Sequence, residues 1–366
     1  MAGSLSDPAG LLEHAERLGL QAQRLKPCSS GDTAGLRDHV VGYGAWAFAS
    51  FLVCRIFLAR TGGHWITPAQ AFASNAPGQQ MSVAVVLAFG SAFCFGLALV
   101  LTQLGLRDVP PVSGAAISIP SSTLLFVCLA PVVLVESTPA WTALPIFAAV
   151  GLLYPGAVTL LTFAANRSLG PVITGTLGNL APVFAVATAA IMLGEALRLS
   201  QLGGLLMIVA GIVVLTATRQ QGVHWRSWYL LLPLAAAALR GLVQPTVKLG
   251  LEIWPSPFVA ALTSYLVSSL VVVAAARSRT QSFQPSTPTR GRLWFVAVGL
   301  CNGLAVLLMY AALANGPVAL VSPLVATYPL VTVAGSAIIL GKADRSARLA
   351  LGVALTVAGV ALLLAA

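Results

Sequence analysis

Long apolar blocks separated by short polar breaks set the pattern of the chain. Val109–Val135, Ser168–Gly194, Leu199–Thr218 and Ile253–Ala276 carry no charge, and each suits one helix, since a bilayer core of about 30 Å needs roughly 20 helical residues. Leu293–Gly341 is also free of charge but too long for one crossing. It breaks at Asn315-Gly316-Pro317, where Gly and Pro give a stop and a restart. The pattern predicts ten helices: Ser82–Leu104, Val112–Val135, Trp141–Ala165, Pro171–Leu193, Ser200–Thr216, Trp228–Leu249, Ser256–Ala276, Leu293–Ala314, Pro317–Leu340 and Ala347–Leu364. Strands of an outer-membrane barrel would alternate apolar and polar residues instead. Trp141, Trp225, Trp228, Tyr229, Trp254 and Trp294 fall near predicted helix ends, as an interfacial aromatic belt requires.

Composition agrees and excludes other classes. Only 8% of the 366 residues are charged and 58% are hydrophobic, with a mean hydropathy of +0.90. A soluble fold cannot hide that much apolar surface, and a disordered chain would not carry it. The expected class is an all-α polytopic membrane protein. The net charge of +10 is explained by the habit of membrane proteins of gathering Lys and Arg in cytoplasmic loops, so no nucleic-acid partner is expected. Cys28, Cys54, Cys94, Cys128 and Cys301 stand far apart with no paired spacing, which argues against a disulfide framework or a zinc site.

The chain repeats itself. The stretch from Phe95-Gly96 to Leu106 aligns with that from Arg240-Gly241 to Leu251 at an offset of 145, and Gly170-Pro171-Val172 aligns with Gly316-Pro317-Val318 at 146. Ala181-Pro182-Val183 matches Tyr328-Pro329-Leu330 and Leu193-Gly194-Glu195 matches Leu340-Gly341-Lys342, both at 147; Ala210-Gly211 matches Ala358-Gly359 at 148. An offset drifting in small steps marks a duplicated five-helix unit. Five is odd, so the second copy enters the membrane from the opposite side, and the expected architecture is ten transmembrane helices as two inverted five-helix repeats, 81–218 and 219–366.

Those residues carry a resemblance. Leu180-Ala181-Pro182-Val183-Phe184 through Leu193-Gly194-Glu195, followed by Gly203-Gly204 and Ala210-Gly211, resembles the EamA repeat of the drug/metabolite transporter superfamily; Tyr328-Pro329-Leu330 through Gly341-Lys342, then Gly352 and Ala358-Gly359, resembles a second copy. The resemblance covers roughly Ser82 to Leu364. It implies two inverted bundles and export or exchange of small metabolites, without implying a substrate. Lys342 stands in the second copy where the first has Glu195, a departure from an acidic role at both positions.

Residues 1–80 match nothing in the repeat and read as an N-terminal extension. Within it, His39–Ala59 is apolar apart from Arg55, which leaves an extra helix as an alternative. Loop charge bears on orientation. The loops after odd-numbered helices hold Arg107, Arg167, Arg219, Arg226, Arg277, Arg279, Arg290, Arg292, Lys342, Arg345 and Arg348, against Arg198 and Lys248 for the others. The richer side is expected to be cytoplasmic, in a multi-pass protein of the inner or plasma membrane.

Candidate chemistry is sparse. His14, His39, His64 and His224 lie outside the ten predicted helices, and Asp108, Glu136, Glu195, Glu252 and Asp344 are scattered at helix ends; no catalytic or metal cluster is expected, and no cofactor. Arg240 is the exception. It lies 12 residues past Trp228, about 18 Å along a helix, where an Arg costs about 2.5–3.5 kcal/mol to insert. Gln244 and Lys248 follow at helical spacing, and Pro245 loosens the same turn. Either Arg240 anchors packing while Lys248 snorkels to the interface, or Arg240 faces a cavity and binds a carboxylate or phosphate. Tyr154, Asn302 and Tyr328 join Arg240 and Gln244 as candidate substrate-binding residues, and Pro182 and Pro329 are candidate helix breaks. Glu195 reads as a surface ion pair with Arg198. The expected function is a secondary transporter for a small metabolite, amino-acid-like or an organic anion, working by alternating access and exporting. A cationic-drug exporter of the same superfamily, or a non-transporting scaffold or enzyme, are the alternatives. Small-molecule substrate and lipids are the expected partners, with a homodimer left open.

Overall fold

The computed structural model describes residues 77–134, 139–196, 198–216, 227–278, 289–339 and 347–365, all within the compact unit Ile66–Ala366. The expected N-terminal extension up to residue 76, with its candidate helix His39–Ala59, lies outside them. Every described element is helical: α1 (Pro77–Gly105), α2 (Pro111–Val133), α3 (Leu144–Gly151), a π-helical turn (Leu152–Ala157), α4 (Val158–Gly178), α5 (Ala181–Leu193), α6 (Leu199–Thr216), α7 (Leu231–Ile253), α8 (Pro257–Ser278), α9 (Thr289–Asn315), α10 (Val318–Val325), α11 (Tyr328–Ile339) and α12 (Ala347–Leu364), with short 3-10 turns at Trp141–Ala143 and Ser227–Leu230.

Proline and glycine set many of the boundaries. Pro111 and Pro182 occupy first-turn positions, where a missing N–H costs nothing. Gly194 ends α5 in the left-handed region at φ 65°, a geometry an L side chain resists. Pro317, extended at φ −70°, ψ 148°, precedes α10.

Six described helices are long and apolar enough to cross a membrane: Gln80–Gly105, Ser113–Val133, Trp228–Ile253, Pro257–Ala274, Thr289–Asn315 and Val318–Ile339. Trp141–Ala157, Ala181–Leu193, Leu199–Leu215 and Arg348–Leu364 are apolar but shorter. The expected boundary between the third and fourth helices, at Ala165–Pro171, is corrected: α4 runs through it and the chain breaks at Asn179-Leu180. That break is the counterpart of Ala326-Thr327 between α10 and α11, and in both places the proline just beyond cannot donate backward. Pro182 and Pro329 therefore stand in the first turns after these breaks. Trp254 departs from the aromatic belt: it is buried in the core with Phe147 and Phe258.

The two copies pack by the same contacts, exchanged. A Cβ on Gly241 would fall 2.5 Å from Phe184 Cβ and 2.9 Å from the Ala181 carbonyl oxygen; one on Gly96 would fall 2.5 Å from Val331 Cβ and 2.7 Å from the Tyr328 carbonyl oxygen. Phe295 seats against Gly105 as Phe147 seats against Gly250. Ser122 Oγ donates to the Gly299 carbonyl at 2.6 Å, and its counterpart Ser268 Oγ donates to the Gly151 carbonyl at 2.5 Å. Thr123 and its own counterpart Ser269 meet at 2.6 Å between α2 and α8. In the last pair, Gly204 abuts Gly359 and Gly211 abuts Gly352, so α6 and α12 run antiparallel with backbones in contact, a close approach that small residues allow. Equivalent helices pointing in opposite directions are what an inverted duplication produces.

Candidate functional site

Where the exchanged contacts leave space, a cavity of about 440 Å³ remains between the two copies, within the usual range for small-molecule sites. Its walls come from α1, α2, the π-helical turn, α4, α5, α7, α8, α9, α10 and α11. The copies line it unequally. Arg240 and Gln244 on α7 stand where α1 has Phe95 and Leu99, and all four face the cavity. At these two counterpart positions α7 is polar and α1 apolar. Tyr154 and its counterpart Asn302 both line the cavity.

The five candidate substrate-binding residues, Arg240, Gln244, Asn302, Tyr154 and Tyr328, all line this cavity, as does Pro182; Pro329 is buried beside it, off the lining. Tyr154 leaves helical geometry (φ −140°, ψ 132°) in the π-helical turn, so its ring is presented by a broken helix. The Arg240 guanidinium carbon lies 6.0 Å from the centre of that ring, at the limit of a cation–π contact. Tyr328 Oη donates to Asn179 Oδ1 at 2.9 Å, and the Tyr328 ring tilts against Phe95 at 6.4 Å.

Several polar atoms are buried with nothing to bond. Arg240 Nε, Gln244 Oε1 and Ser322 Oγ have no hydrogen-bond partner, and all three residues line the cavity. Such an atom costs about 1–3 kcal/mol relative to water, and a ligand bearing acceptors and donors would repay it. Among the described residues Arg240 is the one charged group on the lining, and no carboxylate there forms an ion pair with it. Ser322 and Asn179 are among the polar lining residues that the choice of candidates missed, with Ser118, Ser122 and Tyr265. Ser322 was findable, as the one polar residue between Val318 and Ala326.

The cavity has a direction. It follows α1 from Phe95 through Leu99 and Thr102 to Leu106, one residue beyond the helix. That end of the bundle holds Arg107 and, through the Gly105–Phe295 and Asp108–Gly291 contacts, the start of α9 with Arg290 and Arg292. At the other end the lining stops at Gln244, Met309 and Ser322. One turn further Lys248 Nζ meets Glu195 Oε1 at 2.8 Å and donates to the Gly316 carbonyl at 3.1 Å. Glu195 also accepts the Val318 N–H on Oε1 and the Ala319 N–H on Oε2, both at 3.0 Å. Two expectations are corrected by this. Glu195 pairs with Lys248 across the copies, because the left-handed turn at Gly194 aims it at α7 and at the open start of α10. Lys248 is held in that pair and does not snorkel.

Comparison with known proteins follows the same lines. A solved structure titled "Crystal structure of protein" is 24% identical, covering 77% of this chain and 96% of its own, with a TM-score of 0.65; this likeness speaks for the fold alone. No curated protein matches the chain. The family model of the EamA-like transporter family matches twice, at residues 82–217 and 226–365. The two matched stretches are the two copies whose contacts exchange, and the chain belongs to the EamA-like transporter family of the drug/metabolite transporter superfamily.

Proposed function

We propose that this chain is a secondary transporter of the cell membrane that carries a small metabolite bearing a carboxylate or phosphate, amino-acid-like or an organic anion. The observation that carries the reading is Arg240: a cation on the wall of a closed-ended cavity, with a buried Nε unpartnered and no acid beside it. A guanidinium in that setting favours an anionic group by charge-assisted, directional hydrogen bonds. Gln244 Oε1 and the faces of Tyr154 and Tyr328 supply acceptors and apolar surface for the rest of the solute. A cationic drug would meet the wrong sign of charge.

Alternating access follows from the duplication, since two oppositely oriented copies can expose the same site to either side by exchanging their conformations. The cavity reaches the end rich in Arg, which the charge bias assigns to the cytoplasm. A site loaded from there makes export the direction to test first.

The test is counterflow in vesicles reconstituted with the full chain, screened with amino acids, organic acids, sugar phosphates and quaternary amines. Anionic or zwitterionic solutes are expected to exchange, and Arg240→Gln is expected to lower their transport about tenfold or more, the worth of one charge-assisted bond. Unchanged transport by a well-folded Arg240→Gln protein would overturn the site assignment.

A further inference from the structure

We propose that Glu195 is the latch of the mouth opposite the Arg-rich end, and that this mouth opens only when its bonds to the second copy part. The inference rests on the alternating-access reading above, which requires one mouth to be shut while the other is open.

Glu195 belongs to the first copy, and all its hydrogen-bond partners given above belong to the second. Its carboxylate gathers the Lys248 ammonium from α7 and the first two N–H groups of α10, while Lys248 reaches on to the carbonyl of Gly316 at the end of α9. One side chain thus ties the end of α5 to two elements of the other copy, α7 and α10, at the level where the cavity lining ends. The first N–H groups of a helix have no partner within it and carry its positive dipole end, so a carboxylate suits them and an ammonium does not. The pair is partly shielded, with side-chain exposures of 20% for Lys248 and 13% for Glu195. It is accessible enough to break and buried enough to hold.

Sequence makes the latch one-sided. The counterpart of Glu195 is Lys342, that of Lys248 is Gln103, and that of Val318 is Val172. A lysine cannot accept an N–H, and Lys with Gln forms no ion pair. Lys342 lies outside the described residues, but the residue types at the counterpart positions cannot make the same set of bonds. Most contacts of the fold obey the exchange of copies; this one cannot. An inverted duplication with a symmetric backbone needs such a difference to favour one open state over the other.

The test uses accessibility, so it needs no known substrate. In the full chain, with its native cysteines replaced, Ser322→Cys places a thiol on α10, one turn inside the latch. In intact cells a membrane-impermeant maleimide is expected to label it slowly. Adding Glu195→Gln or Lys248→Met is expected to speed labelling from outside by about tenfold or more, since each removes at least one charge-assisted bond from the closed state. Equal rates with and without the latch residues would overturn the proposal, as would rapid labelling with the latch intact. If Glu195→Gln fails to accumulate, Lys248→Met carries the test; failure of both would make the pair a requirement of folding and overturn the latch. Vesicle transport is read separately. Faster labelling in a protein that moves none of the screened solutes would count against the proposed function and leave the latch standing.

Discussion

Gly96 and Gly241 offer a direct test of the exchanged packing. Each is replaced by Ala, the smallest change available, with no rotamer by which to escape. The new Cβ would sit 2.5 Å from Val331 Cβ at position 96 and 2.5 Å from Phe184 Cβ at position 241, where ordinary contact is 3.4–4 Å. Backbone atoms close each site as well: the Tyr328 carbonyl oxygen at 2.7 Å, and the Ala185 nitrogen at 2.7 Å. Neither side chain rotation nor a small rotamer shift opens that space, so the helices themselves must separate by about 1 Å. Overpacking of this kind costs about 1–3 kcal/mol, against which the better helix propensity of Ala returns up to about 1 kcal/mol. The net expectation is a loss of about 1–2 kcal/mol at each position, equal within error because the two sites are counterparts. Gly90, on the same helix as Gly96, is the control: its Cβ would meet only the flexible tip of Leu308, at 3.4 Å, so Gly90→Ala is expected to be neutral or stabilising. The assay is thermal unfolding of the purified protein in one detergent, read by the loss of monodisperse material. A shift of about 2–4 °C per kcal/mol, the figure for chains of 150–250 residues, puts the loss at several degrees. Gly96→Ala and Gly241→Ala melting no lower than Gly90→Ala would refute the close approach, and a large difference between the first two would refute the exchange relation.

Two further outcomes follow from the hydrogen bonding. Gln244→Leu removes a buried acceptor with no partner, so it is expected to leave the melting temperature unchanged or higher while weakening transport in the counterflow assay; a marked fall in stability would place Gln244 in the packing. Ser122→Ala and Ser268→Ala each delete one interhelical bond, for about 0.6 kcal/mol in a membrane setting, and the two losses are expected to be equal within error because the bonds are counterparts. Melting curves of the two variants side by side decide it.

Periodicity and composition are local properties, and what depends on them was legible. Apolar block length declared helices in a membrane, and the drifting offset of 145 to 148 declared two copies, because a duplicated fold keeps the residues its packing needs. Arg240 could be singled out for the same reason: a charge deep within an apolar run is costly wherever it faces, so a cavity or partner had to exist. Gln244, one turn on, and Tyr154 with Asn302, at counterpart positions, reached the same cavity by that logic. Which group satisfies which is another matter, since it depends on segments brought together across the fold. Glu195 has Arg198 three residues away in sequence, yet its bonds go to Lys248, 53 residues on, and to Val318 and Ala319, more than 120 residues on. Nothing in the spacing along one helix encodes such a partner. The break at Asn179-Leu180 and the burial of Trp254 are of the same kind, decided by what packs against them. The sequence by itself determined that there are two oppositely directed copies and that one of them carries the charge; only the tertiary structure decided that the charge lines a cavity and that the cavity ends at Glu195, because both depend on which segments pack together.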